Sequence, residues 1–405
     1  FVVLETLRKE FVQYRLDEEK VPRVRGLDAC AGEIGCRPEV FAQTFRWIRM
    51  ESSRFTQMHL TYHVGEDFLD LTDGIRAVDE AIRFLELPEK SRIGHGMAIA
   101  LDAKSYYQLK NRNLVLCKQD LLDNLCWVLG VCAEWNLYMN ANLEQKLRSY
   151  VNKLIKEIYS EPDCEAVEEI RPENVMVAGE AVLREVAVTM EGLQQDESIW
   201  NYYQAWKLRG DRPEVYLLSD EEFERYAEGQ DNFRYGECAL LINPELQEIR
   251  KNPECRRYYR RYHFDENVRS TGKECEIFYA EDTYIEVIGR IQTKLCRRIE
   301  EAEIFVEGNP SSNYRIGPFA RYDEHPMLRM YRKHLDKSNS CRLCVSINTD
   351  DQGVFQTWLE MEYAIMYTAL CKCKDEHGKY RYTEQQVLRW LEDIRQFGHQ
   401  QIFEV

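Results

Sequence analysis

The sequence predicts an α/β fold in which parallel strands form a barrel, interrupted by a large and mostly helical insertion. Short apolar runs alternate with amphipathic segments, and several runs end in a side chain that can bind a metal or transfer a proton. Strands followed by helices, with reactive residues at the carboxyl ends of the strands, are typical of a parallel α/β barrel whose active site lies on that face. The third observation is the number of residues between successive runs, which is similar except for one much longer connection.

The apolar runs and the amphipathic segments between them define the predicted elements. Five strands are predicted over Val24–Cys30, Met58–His63, Arg92–Met97, Glu303–Val306 and Leu343–Asn348. Helices are predicted over Pro38–Met50, Asp73–Leu87 and Gln356–Leu370, because their apolar residues recur at helical spacing. Asp73 is the predicted cap of the second helix.

The numbers of residues between successive motif residues locate the insertion. Asp28 to His63 is 35 residues and His63 to His95 is 32, each the length of one strand-plus-helix unit. Phe305 to Asn348 is 43 residues, still one unit, but His95 to Phe305 is 210. That last connection is too long for a loop inside a compact domain. We therefore expect barrel parts over 1–101 and 301–405, separated by an insertion over 102–300.

The insertion is predicted to be helical and to carry oligomer or partner contacts. Apolar residues recur at helical spacing in four of its segments, which are Leu121–Met139, Leu143–Tyr159, Glu180–Met190 and Tyr284–Ile299.

Composition excludes several classes of function. The formal net charge of −16 argues against binding a nucleic-acid backbone, which requires clustered Lys and Arg. No apolar stretch approaches the ~20 residues of a membrane span. The 14 cysteines show no zinc-ribbon or disulfide-framework spacing, so we expect reduced thiols and a cytoplasmic location. The chain opens with Phe1 inside a helix-like pattern, so we expect it to begin after the start of its gene.

Three motifs carry the chemistry. His63 and Glu66 stand in Tyr-His-Val-Gly-Glu, His95 stands between two glycines, and Asp350 and Asp351 end Asn-Thr-Asp-Asp. Taken alone, a strand-end histidine is more often structural, and an Asp before a helix is more often a cap. Together the motifs supply imidazoles and carboxyl groups for metal-activated water attacking a polarised ring or carbonyl.

These motifs resemble those of the adenosine/AMP deaminase superfamily of zinc-dependent (β/α)8 hydrolases. Gly26–Glu33 and Asn309–Asn313 complete the series, which in that family closes strands four to eight in this order. The resemblance implies Zn²⁺ as cofactor, with His63 and Asp350 as metal ligands. It implies catalytic roles for Glu66, His95 and Asp351.

Substrate contacts are implied by the same resemblance. Gly32 would present backbone groups to the purine edge, and Asp351 would contact the water or a purine nitrogen. His95 would either orient or deprotonate the water. For Asn309–Asn313, an ordinary strand-to-helix turn and a role in substrate contact are about equally favoured.

Two departures from the family pattern stand out. The usual His-Ala-Gly-Glu is His-Val-Gly-Glu here, which leaves the reactive groups alone. No His-x-His pair occurs, although in the family this pair on the first strand supplies two zinc ligands. We therefore expect the chain to be the carboxyl-terminal part of a longer protein, with the remaining strands and ligands upstream.

Within the superfamily, the long insertion resembles the deaminases of the RADAR phage-defence systems. That resemblance implies adenosine or an adenine nucleotide such as ATP or dATP as substrate, a large homo-oligomer, and an AAA+ ATPase partner. CRISPR-associated deaminases activated by cyclic oligoadenylate are the first alternative. A nucleoside deaminase acting on free adenosine and a non-catalytic, deaminase-like scaffold subunit remain open.

Overall fold

A computed structural model describes residues 26–30, 32–52, 58–160, 185–227, 244–336 and 341–403. The chain divides into two compact units. The first comprises 1–106, 207–247 and 292–405, and the second comprises 107–206 and 248–291. The boundaries predicted from the sequence, at 101 and 301, stay a prediction.

The described strands, numbered in chain order, are β1 (Gly26–Ala29), β2 (His59–Val64), β3 (Arg92–His95), β4 (Asn113–Cys117), β5 (Tyr138–Asn140), β6 (Glu185–Ala187), β7 (Cys275–Tyr279), β8 (Phe305–Gly308) and β9 (Val345–Ile347). The described α-helices are α1 (Glu39–Ser52), α2 (Leu71–Phe84), α3 (Ala103–Leu109), α4 (Lys118–Glu134), α5 (Ala141–Tyr159), α6 (Met190–Gln194), α7 (Glu197–Lys207), α8 (Asp220–Ala227), α9 (Pro244–Lys251), α10 (Pro253–Phe264), α11 (Glu266–Gly272), α12 (Asp282–Glu301), α13 (Pro310–Ile316), α14 (Met327–Met330), α15 (Gln352–Phe355), α16 (Leu359–Lys372) and α17 (Glu384–Gln400).

A five-stranded parallel sheet in the order β1-β2-β3-β8-β9 is the centre of the first unit. Each of its strands lies within or overlaps one of the five predicted apolar runs. A mixed α/β fold, mostly helical with a parallel central sheet, is therefore confirmed. The runs were recognisable because strands buried on both faces of a parallel sheet read as near-continuous apolar stretches.

Helix α2 follows the second strand of the sheet. Ile75 and Val78, on its predicted apolar face, are fully buried. The predicted cap was wrong: Asp70 caps the helix by accepting the N–H of Thr72 at 3.1 Å. The carboxylate of Asp73 instead accepts hydrogen bonds from the guanidinium groups of two arginines.

The second unit contains two antiparallel strand pairs, β4 with β7 and β5 with β6. The predicted helix over Glu180–Met190 was wrong in its described part, because Val186 and Val188 alternate with other residues and 185–187 form a strand. Residues 180–184 lie outside the described residues. The predicted helix over Leu121–Met139 ends earlier, at Glu134. Shortly after it, Asn136 has a positive φ of 52°, which no helix accommodates.

Two helices predicted in the insertion are confirmed. The segment Leu143–Tyr159 lies in α5, and Tyr284–Ile299 lies in α12. No helix among the described residues is long and apolar enough to cross a membrane.

Candidate active site

The carboxyl ends of β2, β3, β8 and β9 lie along one edge of the sheet because all four strands run in the same direction. Four of the segments that leave this edge carry His63 to Glu66, His95, Asn309 to Asn313, and Asp350 to Asp351. Segments far apart in the sequence therefore meet at one place in the first unit.

His95 lies at the centre of this cluster. Its side chain is buried, and its backbone φ of 64° falls in the left-handed region, which costs a non-glycine residue about 1–3 kcal/mol and is common at functional sites. Its Nδ1 lies 3.0 Å from the amide nitrogen of Asn309 and 2.9 Å from that of Asn313. The Oδ1 of Asn313 accepts the backbone N–H of Asn309 at 3.0 Å, which assigns the orientation of its amide.

These contacts assign the tautomer of the imidazole. Because amide nitrogens donate, the Nδ1 of His95 accepts, and the neutral ring carries its proton on Nε2. Burial, followed by the neighbouring imidazole of His63, lowers the pKa of His95, so the ring is neutral at physiological pH. Its Nε2 lies 3.3 Å from Glu66 Oε2 and 3.9 Å from Asp350 Oδ2.

Glu66 is the second central group. Its Oε1 accepts a hydrogen bond of 2.6 Å from Asn313 and one of 3.5 Å from Ser312. Burial raises the pKa of Glu66 to about 7, although the hydrogen bond from Asn313 opposes the shift. A carboxyl group with a pKa near 7 can both donate and accept a proton at neutral pH.

Asp350 and Asp351 differ in their surroundings. Asp350 has a positive φ of 56° and is partly buried, and its Oδ1 accepts the N–H of Asp351 at 2.9 Å. The side chain of Asp351 is exposed. Candidate ligand atoms of Glu66, His95 and Asp350 all lie within 4.8 Å of one another, so these three residues form a candidate metal-binding group.

His63 belongs to a second, neighbouring group. Its Nδ1 lies 3.0 Å from Asp28 Oδ1, and ligand atoms of Asp28, Cys30 and His63 lie within 4.8 Å of one another. The rings of His63 and His95 meet edge to face with centroids 5.1 Å apart. The pairing of His63 with Asp350 on one metal stays a prediction, because these groups share no member.

A glycine makes room for the His63 ring. A Cβ built on Gly94, opposite His63 in the sheet, would lie 2.4 Å from the ring carbon Cδ2. Burial alone would lower the pKa of His63, but the hydrogen bond and charge of Asp28 outweigh it and raise the pKa.

The donor set of the site fits a divalent metal. Neutral imidazole nitrogens and carboxylate oxygens are ligands that zinc accepts. The charge of Asp350 also raises the pKa of Glu66, and a cation between the two would relieve that repulsion. His63, Glu66 and Asp350 are thus the described residues from which such a centre could be built, since His95 in its assigned tautomer has no free lone pair.

The loop after β1 contributes a contact that the sequence motifs did not identify. Gly32 is exposed with open space around it, and its predicted contact with the purine stays a prediction. The next residue, Glu33, accepts three backbone N–H groups from residues 65, 66 and 67. Asn309 and Asn313 were also missed as partners of His95, although their segment belonged to the motif series.

Comparison with known proteins identifies a family model that matches part of the chain. Residues 279–381, about a quarter of the chain, match the family model for adenosine deaminase. The matched segment includes Asn313, Asp350 and Asp351. It does not include His63, Glu66 and His95, which precede it by far in the sequence. No curated protein matches the chain significantly. The family match supports the adenosine/AMP deaminase superfamily, and with it a hydrolase that deaminates its substrate.

Proposed function

We propose that the protein is a zinc-dependent hydrolase that converts the adenine ring of ATP, dATP or adenosine to the inosine form. One observation carries this proposal. The amide of Asn313, inside the segment that matches adenosine deaminases, donates to both Glu66 and His95, which lie outside that segment. The two parts of the chain therefore build one acid–base cluster.

His63 and Asp350 are the proposed zinc ligands among the described residues. Zinc, when bound, supplies a nucleophile at neutral pH by lowering the pKa of water. Each of the two residues lies in its own candidate metal-binding group, His63 with Asp28 and Asp350 with Glu66, and the donor atoms of both groups are suited to zinc.

Glu66 is the proposed proton carrier. Its carboxyl group, with a pKa of about 7, is partly protonated at neutral pH and can donate to a ring nitrogen of adenine as water adds to C6. The carboxylate takes up the proton that the attacking water loses and passes it to the amino group, and it then recovers the remaining proton of the added hydroxyl group. The C6–N bond breaks, ammonia leaves, and the inosine ring remains.

His95 is proposed to orient the attacking water rather than to deprotonate it. With two amides donating to Nδ1, the neutral imidazole presents an N–H at Nε2, which can donate a hydrogen bond but cannot accept a proton. Asp351 is proposed to contact the water or a purine nitrogen, since its exposed carboxylate follows Asp350 directly. The backbone of Gly32 is proposed to contact the purine edge.

The biological setting remains part of the proposal. The resemblance to RADAR deaminases supports a cytoplasmic role in phage defence, a large homo-oligomer and an AAA+ ATPase partner. We also propose that the five parallel strands are part of a (β/α)8 barrel, to which their order and direction correspond.

The experiment is a measurement of zinc content together with turnover of ATP, dATP and adenosine by the protein. Glu66→Gln should reduce turnover by about 10²–10⁴-fold because it removes the proton carrier. Asp67→Asn, the same chemical change at the adjacent exposed residue, should leave turnover intact.

The outcomes separate the alternatives. Absence of both zinc and turnover would refute the enzyme and favour a scaffold subunit. Turnover of adenosine alone would exclude the nucleotide form of the proposal. Turnover that depends on cyclic oligoadenylate would favour the CRISPR-associated type over the RADAR type.

A further inference from the structure

We propose that Glu33 is a positioning residue: its carboxylate holds the backbone of residues 65–67 and thereby places the side chain of Glu66. This inference rests on the proposed function, because it assigns Glu66 to the reaction. Glu33 itself reaches no reacting group. Its hydrogen bonds act on the loop that carries Glu66.

The contact consists of three consecutive backbone amides that point at one carboxylate. The N–H of Gly65 donates to Glu33 Oε2 at 2.6 Å, and those of Glu66 and Asp67 donate to Oε1 at 2.9 and 3.1 Å. Successive N–H groups that converge in this way form a nest for an anion. The backbone of Gly65, with φ of 83°, makes the turn that brings them together.

The loop has little room to relax around this contact. A Cβ on Gly65 would lie 2.9 Å from the side chain of Val78 in α2, so the turn packs tightly against that helix. The position of this turn therefore depends on three contacts: the packing against α2, the N–H of Ala98 that donates to the carbonyl of Gly65 at 2.9 Å, and the carboxylate of Glu33.

Glu33 is itself held in place. Its carbonyl accepts the N–H of Cys36 in a tight turn, and Arg37 directly follows that turn. The guanidinium of Arg37 bonds Asp73 at 2.7 Å and Glu80 at 2.6 Å on α2, the helix that begins four residues after Asp67. Helix α2 also follows the 65–67 loop directly along the chain. The segment that carries Glu33 and the loop that it contacts are therefore both connected to α2.

The contacts of the Glu66 side chain depend on the position of the 65–67 loop. Its carboxylate reaches Asn313 at 2.6 Å and His95 at 3.3 Å, and both partners are buried. A displacement of the loop by about 1 Å would break these contacts and can cost roughly 100-fold in rate.

The test compares Glu33→Gln with Glu33→Asp in the full protein. Glu33→Gln keeps the size of the side chain but replaces one accepting oxygen by an amide N–H₂, which then faces at least one backbone donor. Glu33→Asp keeps the charge on a shorter side chain and should lose less. The control is Glu89→Gln, which removes one charge from an exposed turn.

Two readouts are needed. Backbone hydrogen exchange at residues 65–67 should become roughly 10- to 100-fold faster in Glu33→Gln, which corresponds to the loss of a hydrogen bond to a charged acceptor. With adenosine or ATP, kcat should fall about 100-fold with little change in KM, because the reacting group moves while the substrate contacts stay. Glu33→Asp should lie between Glu33→Gln and the unchanged protein in both readouts.

Several results would overturn the inference. These are unchanged exchange at 65–67, faster exchange with unchanged kcat, or a parallel loss in Glu89→Gln. If Glu33→Gln does not fold, Glu33→Asp decides by the same two readouts. A protein that deaminates no adenine compound would instead refute the proposed function and, with it, the positioning role. In that case faster exchange in Glu33→Gln would still show that Glu33 holds the loop.

Discussion

Replacing the amide of Asn313 by a carboxylate tests the proton chemistry directly. Asn313 is fully buried, and the Asn313→Asp variant has nearly the same shape, so it should still accept the backbone N–H of Asn309. It loses the N–H₂ group that donates to Glu66 at 2.6 Å and to His95 at 2.9 Å. The substitution thus removes one hydrogen-bond donor and adds one negative charge, while the side chain occupies the same space.

The size of the effect follows from the lost hydrogen bond. A hydrogen bond to a charged group contributes about 1.5–3 kcal/mol, and one pKa unit corresponds to about 1.36 kcal/mol. The bond from Asn313 holds the pKa of Glu66 down against burial. Its loss should therefore raise the pKa of Glu66 by about 1–2 units, and the new carboxylate should raise it further.

The assay is the pH profile of kcat/KM for an adenine substrate between pH 5 and 9. If Glu66 must be protonated to donate, activity falls as pH rises through its pKa, so this limb should move from near pH 7 to higher pH by about 1–2 units. The maximal rate should also drop about 100-fold, because His95 loses one of the two donors that fix its tautomer, that of Asn313, and keeps only Asn309. Asn142→Asp, at an exposed position, is the matched control. A limb that stays in place or moves to lower pH would refute this reasoning.

Three further predictions concern the metal and stability. Removing metal with a chelator should abolish deamination, and added Zn²⁺ should restore it; activity that survives complete metal removal would exclude zinc dependence. Gly94→Ala should cost about 1–3 kcal/mol in urea unfolding by crowding the His63 ring, whereas Gly353→Ala, at an exposed position of α15, should not destabilise. Because the folded-state pKa of Glu66 is raised from 4.5 to about 7, this carboxyl favours the folded state below pH 4.5, and that contribution is lost as pH rises to 7. In metal-free protein, Glu66→Gln should therefore gain up to about 3 kcal/mol at pH 8 relative to pH 4, and equal gains at both pH values would contradict the raised pKa.

The sequence was most informative where chemistry and burial coincide. The strands that end near His63 and His95 were recognisable because parallel strands form short apolar runs, and because several reactive side chains follow such runs in one series. The helices α5 and α12 were recognisable from a long apolar periodicity.

The missed features depend on contacts that local patterns do not encode. The pairing of β4 with β7 joins residues such as Val115 and Ile277, and short strands of a few residues resemble helical segments by period alone. Asparagine is a common residue in turns, so Asn313 does not stand out in the sequence. Nothing in the residues next to it along the chain indicates a partner more than 200 residues away. The amide of Asn313 acquires its role only through the pairing of β3 with β8.

The pairing of β3 with β8 has a further consequence for how the protein is made. Arg92 in β3 pairs with Phe305 in β8, so the ribosome must synthesise about 210 more residues before the second strand exists. At about 5–20 residues per second, this takes roughly 10–40 s, during which the edge of β3 has no native partner. Such long-range pairing also slows folding after synthesis. Conditions or variants that delay the arrival of β8 should therefore reduce the yield of active protein through aggregation of the nascent chain, even when every residue of the site is intact.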